Sequence, residues 1–280
     1  MNYIIVKSSK NMYKWNPEDY YSSWLSEQQK LAQELILKLA IKGNERVLDI
    51  GCGDGTITAE IAKQLPNGSV LGIDNSKEMI HFARKIFSSR RFPNIAFKVM
   101  DASYLSFSCE FDIVFSNNTL HWVIDHLSVL NGIKRSLRPS GRVMLLMGGR
   151  GNAAGILEVL ETIIKIKKWN RYFTNFSFHY SFFGPEEYRN WLEHVGLEVK
   201  RVELIPIDWY TRKEKLSAWI RTIWLPYTQK IPEGLREDFI DEIVDKYIKK
   251  YPLDNNDFIY IKLMRLEVEA VSPAIPDNIM

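Results

Sequence analysis

Several features that would mark a particular class of protein are scarce in this sequence. Its 280 residues include only two cysteines, Cys52 and Cys109, so neither a disulfide framework nor a metal site such as a zinc centre is indicated, and a reducing cytoplasm fits best. The 37 basic and 34 acidic residues leave a net charge of +3, which predicts binding to neither nucleic acid nor membranes. The apolar run near the start, YIIV, is far too short for a signal peptide or a membrane span. We therefore expect a cytoplasmic protein.

What the sequence does contain is a repeated alternation of short apolar runs and amphipathic stretches. The hydrophobic fraction of 46% is ordinary for a soluble protein, and the length suits one large α/β domain or a core with a smaller insertion. Strands separated by helices pair in parallel through right-handed crossovers, so the pattern predicts a parallel sheet covered on both faces. We predict strands at 46–50, 69–73, 95–99, 112–116, 141–148, 197–207 and 258–270, and helices at 19–41, 56–65, 76–87, 124–137, 156–169 and 184–195.

A long helical stretch separates the last two predicted strands. Residues 211–250 have a helical pattern that is broken at Pro226 and Pro232. An insertion at this place would form a helical cap over one edge of the sheet. We predict an N-terminal cap region at 1–42, a core at 43–207 and 258–270, a cap insertion at 208–257 and a loose tail at 271–280.

The stretch VLDIGCGDGT, residues 47–56, leads out of the first strand of this alternation. Glycines such as Gly51 and Gly53 allow a ligand to approach the backbone closely, at the edge where open α/β sheets bind ligands. The spacing is neither the dinucleotide pattern G-x-G-x-x-G nor a Walker loop. The carboxylates of Asp49 and Asp54 would repel a pyrophosphate but attract an ammonium or sulfonium group. Taken alone, a glycine-rich turn could still be an ordinary α/β connection.

The next strands also end in residues suited to a nucleoside. Asp74 ends the second strand, where an acidic residue hydrogen-bonds ribose hydroxyls, and Asp101, in MDAS after the third strand, could accept from an adenine amino group. The fourth strand ends in SNNTLHW, and LRPSGRV leads into the fifth. As a set, the motifs of residues 46–148 resemble those of the class I S-adenosylmethionine-dependent methyltransferases. The resemblance implies a Rossmann-like, seven-stranded, mostly parallel sheet with helices on both faces and a helical cap. It also implies S-adenosyl-L-methionine as the cofactor, which leaves as S-adenosyl-L-homocysteine.

The same resemblance implies roles for individual residues in holding this cofactor. Gly51 and Gly53 would run beneath its methionine part, with Asp49 near the amino group. Asp74 would bind the ribose, and Met79 would pack on the adenine. The full set of residues expected to contact the cofactor is Tyr20, Asp49, Gly51, Gly53, Asp74, Asn75, Met79, Asp101, Ala102 and Asn117.

Three further stretches are similar to the trans-aconitate methyltransferases and the insect juvenile hormone acid methyltransferases: KWNPEDYYSSWLSEQQ, SNNTLHWVIDH and IPEGLREDFIDEIVDKYIKKYP. Both families methylate a free carboxylate of a small molecule. A carboxylate, with a pKa of about 4, is already ionised at neutral pH, so it needs orienting hydrogen-bond donors and no general base. Gln28 and Trp122 match the positions that the juvenile hormone family uses for this purpose. A solvated glutamine and a core tryptophan are the alternatives for these two residues.

Other functions stay open at this point. If the acceptor were a phenol or an alcohol, His121 would be placed to act as its base. Carbon or nitrogen methylation of a small metabolite is another alternative, and so is an inactive protein that only binds the cofactor or activates a partner. Methylation of DNA adenine or protein glutamine is disfavoured, because SNNT stands where those enzymes have an N/D-P-P-Y motif. We predict a small-molecule acid as the substrate, and a monomer or a homodimer.

The aromatic run NRYFTNFSFHYSFFG, residues 170–184, bears on the kind of acid. Its five phenylalanines and two tyrosines favour an apolar acid if they line the substrate site, and the alternative is that they pack in the core against the cap. A tricarboxylate would need several cations. The candidates, Lys14, Arg150 and Arg221, are scattered along the sequence.

Overall fold

The computed structural model of the protein describes residues 13–21, 34, 36–178 and 180–274. Within that part of the chain the strands are β1 (Arg46–Ile50), β2 (Ser69–Asp74), β3 (Ile95–Val99), β4 (Phe111–Asn117), β5 (Leu137–Gly148), β6 (Glu198–Thr211) and β7 (Ile259–Val271). They form one sheet in the order β3-β2-β1-β4-β5-β7-β6. β1 to β5 are parallel, whereas β7 is antiparallel to both β5 and β6. This confirms the predicted mostly parallel, seven-stranded sheet.

Helices connect most of these strands, and local sequence explains where several of them begin. The side chain of Ser76 accepts a hydrogen bond from the backbone N–H of Met79 and so caps a helix that the sequence predicts at the same serine. Another helix begins at Pro185, whose missing N–H is not needed in a first turn. The helices are α1 (Thr56–Lys63), α2 (Lys77–Ile86), α3 (His126–Ser136), α4 (Ala154–Ile163), α5 (Pro185–His194), α6 (Lys213–Ile223), α7 (Leu225–Thr228) and α8 (Arg236–Lys250).

Two of the predicted helices need comment. The helix expected at 156–169 is α4 and ends at Ile163, followed by turns. Because the chain turns out of the helix after Ile163, the ring of Trp169 is fully buried, and its indole N–H donates to Glu242 of α8 at 2.8 Å. Tertiary packing therefore overrides the local helical pattern. Of the helix expected at 19–41, residues 19–21, 34 and 36–39 are helical, whereas Ala40 and Ile41 are not, so the helix ends two residues earlier than predicted.

The alternation of side chains along β5 shows how the sheet is covered on both faces. Val143 and Leu145 belong to one buried cluster, together with side chains of α3 and α5. Met144 and Leu146 belong to a second cluster on the opposite face, with side chains of α1 and α2. A strand buried on both faces appears in the sequence as a continuous apolar run, and this explains VMLLM.

A third apolar cluster lies in a helical layer beyond the carboxyl ends of the parallel strands. β5 ends where Gly148 pairs with Arg265, but β6 and β7 continue as a two-stranded ribbon to the pair Thr211 and Ile259. Ile259 packs in one buried cluster with side chains of α4, α6 and α8. The layer therefore stands at the edge where β1 ends. It includes α4, which precedes the predicted insertion at 208–257. In the described residues, no helix is long and apolar enough to cross a membrane.

Candidate active site

The glycine turn after β1 bends back over the end of β2. The backbone N–H groups of Gly51 and Cys52 both donate to the carbonyl of Ile73, at 2.7 and 2.9 Å. Gly51 has a φ of +74° and Gly53 a φ of +53°, which residues with a side chain rarely adopt. A Cβ added at Gly51 would collide with the side chain of Thr119, whereas one at Gly53 would meet no atom within 4 Å. The turn thus presents bare backbone to open space at Gly53.

Carboxylates around this turn make it electronegative. Asp49 is only 2% exposed, and its Oδ2 accepts a hydrogen bond of 2.6 Å from the Thr58 hydroxyl. Burial raises the pKa of Asp49 to about 7, and the charges of Asp74 and Asp54 add to the rise. A cation would be stabilised beside these groups, and an anion would be repelled. The site therefore fits the ammonium and sulfonium charges of S-adenosyl-L-methionine better than a pyrophosphate.

Asp74, at the end of β2, is held in place by the backbone. Its Oδ2 accepts from the N–H of Gly53 at 3.0 Å, and its Oδ1 accepts from the N–H of Ser76 at 2.8 Å. Burial raises the pKa of Asp74, and these hydrogen bonds oppose the rise. A carboxylate oxygen can accept a second hydrogen bond, so both oxygens keep capacity for the hydroxyls of a ribose.

The other predicted cofactor residues near β2 and β3 lie at the same edge. Asp101 follows β3 and is exposed, with its Oδ1 accepting from the N–H of Ser103 at 2.8 Å. Ala102 begins the short 3-10 turn that comes next. Asn75 is exposed after β2, and Met79 is buried on α2. Because adjacent parallel strands end side by side, these residues share one edge with the glycine turn.

Thr119, which was not among the site residues predicted from the sequence, links the end of β4 to the glycine turn. Its hydroxyl lies 3.1 Å from the carbonyl oxygens of both Gly51 and Asn117. Asn117 ends β4 and is half-buried. The sequence offered one signal for Thr119, which is that it is a polar residue in the motif SNNTLHW after β4. Its contact with Gly51 could not be read from the sequence, because the two residues are far apart along the chain.

His121 lies in a buried position with both its backbone and its ring held. Residues Leu120–Trp122 form a 3-10 turn, and the carbonyl of His121 accepts from the N–H of Ser181 at 3.0 Å. The ring Nδ1 lies 3.3 Å from the backbone nitrogen of Gly148, which donates to it. Burial lowers the pKa of His121 to about 3, and the neighbouring His126 contributes. His121 is therefore neutral at physiological pH.

Trp122 stands at the centre of a group of aromatic side chains and is half-buried. Its ring centroid lies 5.1 Å from that of Tyr180 and 6.3 Å from that of Phe178. Its ring centroid also lies 5.5 Å from that of Trp15 and 5.9 Å from that of Tyr13. Trp122 and the four aromatic residues that contact it, Tyr13, Trp15, Phe178 and Tyr180, are here called the aromatic wall, and the indole N–H of Trp122 is a hydrogen-bond donor within it.

The aromatic side chains of residues 170–184 contact both the helical layer and the group around Trp122. Phe173 and Phe176 pack in the helical layer, where Phe176 contacts Tyr227 at 5.1 Å. Tyr180, which belongs to the aromatic wall, and Phe182 stack at 5.0 Å beside His121. Phe178 and Tyr180 also pack against the helical layer, and Phe183 packs against the cluster of α3 and α5, whereas His179 lies outside the described residues.

Residues 13–21, here called the N-terminal strap, run across this edge of the sheet. The backbone N–H of Lys14 donates to Gln229 Oε1 at 3.1 Å, and Gln229 Nε2 donates to the carbonyl of Lys14 at 2.6 Å. At the other end of the strap, Tyr21 meets Phe82 of α2 at 5.5 Å. Tyr20 lies between them and contacts Trp15 at 6.1 Å. Gln28, the predicted partner of Trp122, lies outside the described residues.

Two of the three candidate cations for a polyanionic substrate, Arg150 and Arg221, are paired with local carboxylates. Arg150 donates to Glu187 at 2.6 Å and pairs with Glu186 at 3.2 Å. Arg221 donates to Glu237 at 2.6 and 2.8 Å. The charges of both arginines are therefore balanced by local carboxylates.

Comparison with known proteins now identifies the family. Residues 41–196 match a family model described as a methyltransferase domain. The chain belongs to this methyltransferase family. An uncharacterised methyltransferase of Schizosaccharomyces pombe is 29% identical, over 81% of this chain and 88% of that protein. The trans-aconitate 2-methyltransferase of Shigella dysenteriae is 25% identical, over 92% of this chain and 98% of that protein.

The fold of this methyltransferase also matches solved structures. Phosphoethanolamine N-methyltransferase 2 of Haemonchus contortus, solved in complex with S-adenosyl-L-methionine, aligns with a TM-score of 0.58 and 21% identity, over 92% of this chain and 56% of that one. The predicted class I, S-adenosylmethionine-dependent methyltransferase is thereby confirmed. The names of these relatives specify different acceptors, so the acceptor must be inferred from the site.

Proposed function

We propose that this methyltransferase converts a carboxylate of a small molecule into its methyl ester. The observation that carries the proposal is the state of His121, the histidine that precedes Trp122 in the chain and whose ring centroid lies 5.8 Å from that of Trp122. It is neutral, and its Nδ1 already accepts a hydrogen bond from Gly148. A phenol or an alcohol needs a base in reach, and a carboxylate does not. Because the hydrogen bond from Gly148 occupies the lone pair of Nδ1, His121 has no second lone pair with which to take a proton, so the site suits an acceptor that arrives ionised.

The reaction then needs little from the protein besides alignment. S-adenosyl-L-methionine, when bound, supplies a methyl group on a positively charged sulfur. One carboxylate oxygen forms a bond to the methyl carbon while the carbon–sulfur bond breaks and leaves its electron pair on sulfur. Both charges are neutralised, and no proton is transferred. Trp122 and, by our proposal, Gln28 orient the carboxylate, and the aromatic wall excludes water from the reacting atoms.

We propose an apolar monocarboxylate rather than a tricarboxylate as the substrate. The side chains around Trp122 include Phe178 and Tyr180, which have no charge to offer at neutral pH. Arg150 and Arg221 are already paired with glutamates. A second or third carboxylate would lose water without gaining either of these arginines as a free partner, which is costly. The resemblance to trans-aconitate methyltransferases therefore extends to the carboxylate chemistry but not to the polyanionic substrate.

The proposal also assigns the cofactor to the glycine turn. Asp49 would face its amino group, Asp74 its ribose hydroxyls, and Asp101 with Ala102 its adenine edge. Asn75, Met79 and Asn117 would complete the contacts. The strap, through Tyr20, and the helical layer would cap the cofactor. Support for the cap comes from the position of the layer at the carboxyl edge of the sheet, where the strap also lies.

The test is a product assay with cofactor carrying a deuterated methyl group. The protein is incubated with fatty, isoprenoid, aromatic and tricarboxylic acids, each paired with the corresponding alcohol or phenol, and products are identified by mass spectrometry. We expect a methyl ester of an apolar acid, whose methyl group is released by mild alkali. An alkali-stable product from the alcohol or phenol would replace the proposal with ether formation, and a methyl group on carbon or nitrogen would refute both. A protein with Asp74→Ala, which should bind the cofactor weakly, is the negative control.

A further inference from the structure

The two nitrogens of the His121 ring have different surroundings. Nδ1 faces the backbone N–H of Gly148 at 3.3 Å, which requires a lone pair on Nδ1. A proton on Nδ1 would instead place two hydrogens against each other. A neutral imidazole carries one proton, so the proton of His121 is on Nε2. Nε2 makes no hydrogen bond to any described residue, and it is not among the described polar atoms that are both buried and unpartnered.

From this arrangement we infer that His121 is a specificity-determining donor. Its Nε2–H, together with the indole N–H of Trp122, forms a neutral two-donor site for the acceptor carboxylate. The two rings are adjacent in the chain, with centroids 5.8 Å apart and an interplanar angle of 36°. Two donors on neighbouring rings match the two oxygens of one carboxylate. The inference rests on the proposed function, because only an anionic acceptor profits from two donors.

This arrangement explains selection for an ionised acceptor. A phenol or an alcohol must give up a proton, and an Nε2 that already carries one cannot take it. A carboxylate accepts both hydrogen bonds without any proton transfer. Hydrogen bonds to a charged acceptor are about twice as strong as those between neutral groups, so an anion can be held here without a cation.

The surroundings of His121 keep it in this neutral state. Its ring centroid lies 6.1 Å from that of Tyr180 and 5.8 Å from that of Phe182. Tyr180 is buried, and burial raises its pKa well above the usual value, so it stays uncharged. His126, the other imidazole that affects the pKa of His121, has its own pKa lowered by burial to about 4 and is also neutral at physiological pH. No carboxylate is among the groups that shift the pKa of His121, so the described residues offer nothing to stabilise an imidazolium.

Nitrogen-15 NMR of the full chain with bound S-adenosyl-L-homocysteine tests the inference directly. Of the five histidines, His121 is assigned by the resonance that disappears in His121→Gln. We expect a protonated Nε2 and an unprotonated Nδ1 that stay unchanged from pH 5.5 to 8. A protonated Nδ1, or a titration within that range, would overturn the inference. If His121→Gln does not fold, single variants of the other four histidines assign the resonance by elimination.

Kinetics with the acid that gives the ester provide a second readout. Glutamine keeps an N–H donor near the position of Nε2, whereas phenylalanine keeps the ring and has no donor. His121→Gln should lose less than tenfold in kcat/KM, and His121→Phe about ten- to a hundredfold, with cofactor affinity unchanged in both. Equal losses in the two variants would contradict a donor role. A wrong acceptor would appear in the product structure and a wrong tautomer in the NMR spectrum, so failure of the proposed function and of this inference are distinguishable.

Discussion

The buried carboxylate of Asp49 should make cofactor binding depend on pH. Its pKa is raised to about 7, first by burial and then by Asp74 and Asp54, so the free protein holds a proton on Asp49 in about half of the molecules at pH 7. Only the ionised form attracts an ammonium group. If bound cofactor holds Asp49 ionised, the apparent Kd scales as one plus ten to the power of pKa minus pH. Between pH 7 and pH 6 that expression changes from about 2 to about 11, a loss of roughly fivefold in affinity.

Isothermal titration calorimetry with S-adenosyl-L-homocysteine from pH 5.5 to 7.5 measures this slope. The α-amino group of a peptide titrates near pH 7.7–8.0, and that of the ligand, which lies beside its own carboxylate, titrates higher, so the ligand stays mostly cationic in this range. Asp49→Asn is the matched control: it keeps an acceptor for the Thr58 hydroxyl, which lies 2.6 Å from Asp49 Oδ2, but has no charge to lose. The variant should bind more weakly at pH 7.5 and show a flatter profile. The pKa of Asp74 is raised as well, so some slope should remain. A flat profile in the unmodified protein, or an equal slope in the variant, would refute the reasoning.

Three further predictions concern the turn, the donor and the strap. Asp74→Ala removes the acceptor for the Gly53 and Ser76 N–H groups and for the ribose, so cofactor affinity should fall by about 1–3 kcal/mol in calorimetry, and unchanged affinity would count against the assignment. Trp122→Phe keeps an aromatic ring but removes the indole N–H, so kcat/KM should drop about ten- to a hundredfold while cofactor affinity stays nearly intact. A similar loss is expected for Gln28→Ala, and full activity in both variants would exclude these residues as donors. Gln229→Leu removes both hydrogen bonds to the Lys14 backbone and should raise the KM for the acceptor severalfold. Gln229→Glu keeps only the acceptor and should give a KM between those of the unmodified protein and Gln229→Leu, whereas identical KM values for all three proteins would show that the strap is not held there.

The secondary structure that follows from local pattern was predictable in most places. β1 at 46–50 and β3 at 95–99 have the predicted bounds, because each is a short apolar run, the first ending at Gly51 and the second just before Asp101. The cap of α2 at Ser76 was also visible, since a serine before an amphipathic stretch is a local signal. The helix at 156–169 was predicted too long, because the burial of Trp169 against Glu242 depends on α8, some seventy residues later.

The sequence by itself determined where the acidic residues that we propose for cofactor binding lie. Asp49, Asp74 and Asp101 each lie at or just beyond the end of a strand, and parallel neighbouring strands must end at one edge, so their proximity follows from pattern alone. Only the tertiary structure decided which side chains are free to act there. The hydrogen bond from the Gly148 N–H to His121 Nδ1 places the ring proton on Nε2. The hydrogen bonds between Gln229 and the Lys14 backbone hold one end of the N-terminal strap. These contacts join residues distant in sequence, and no local pattern encodes the orientation of a ring or the partner of a lone amide, because both are set by the packing of separate elements against each other.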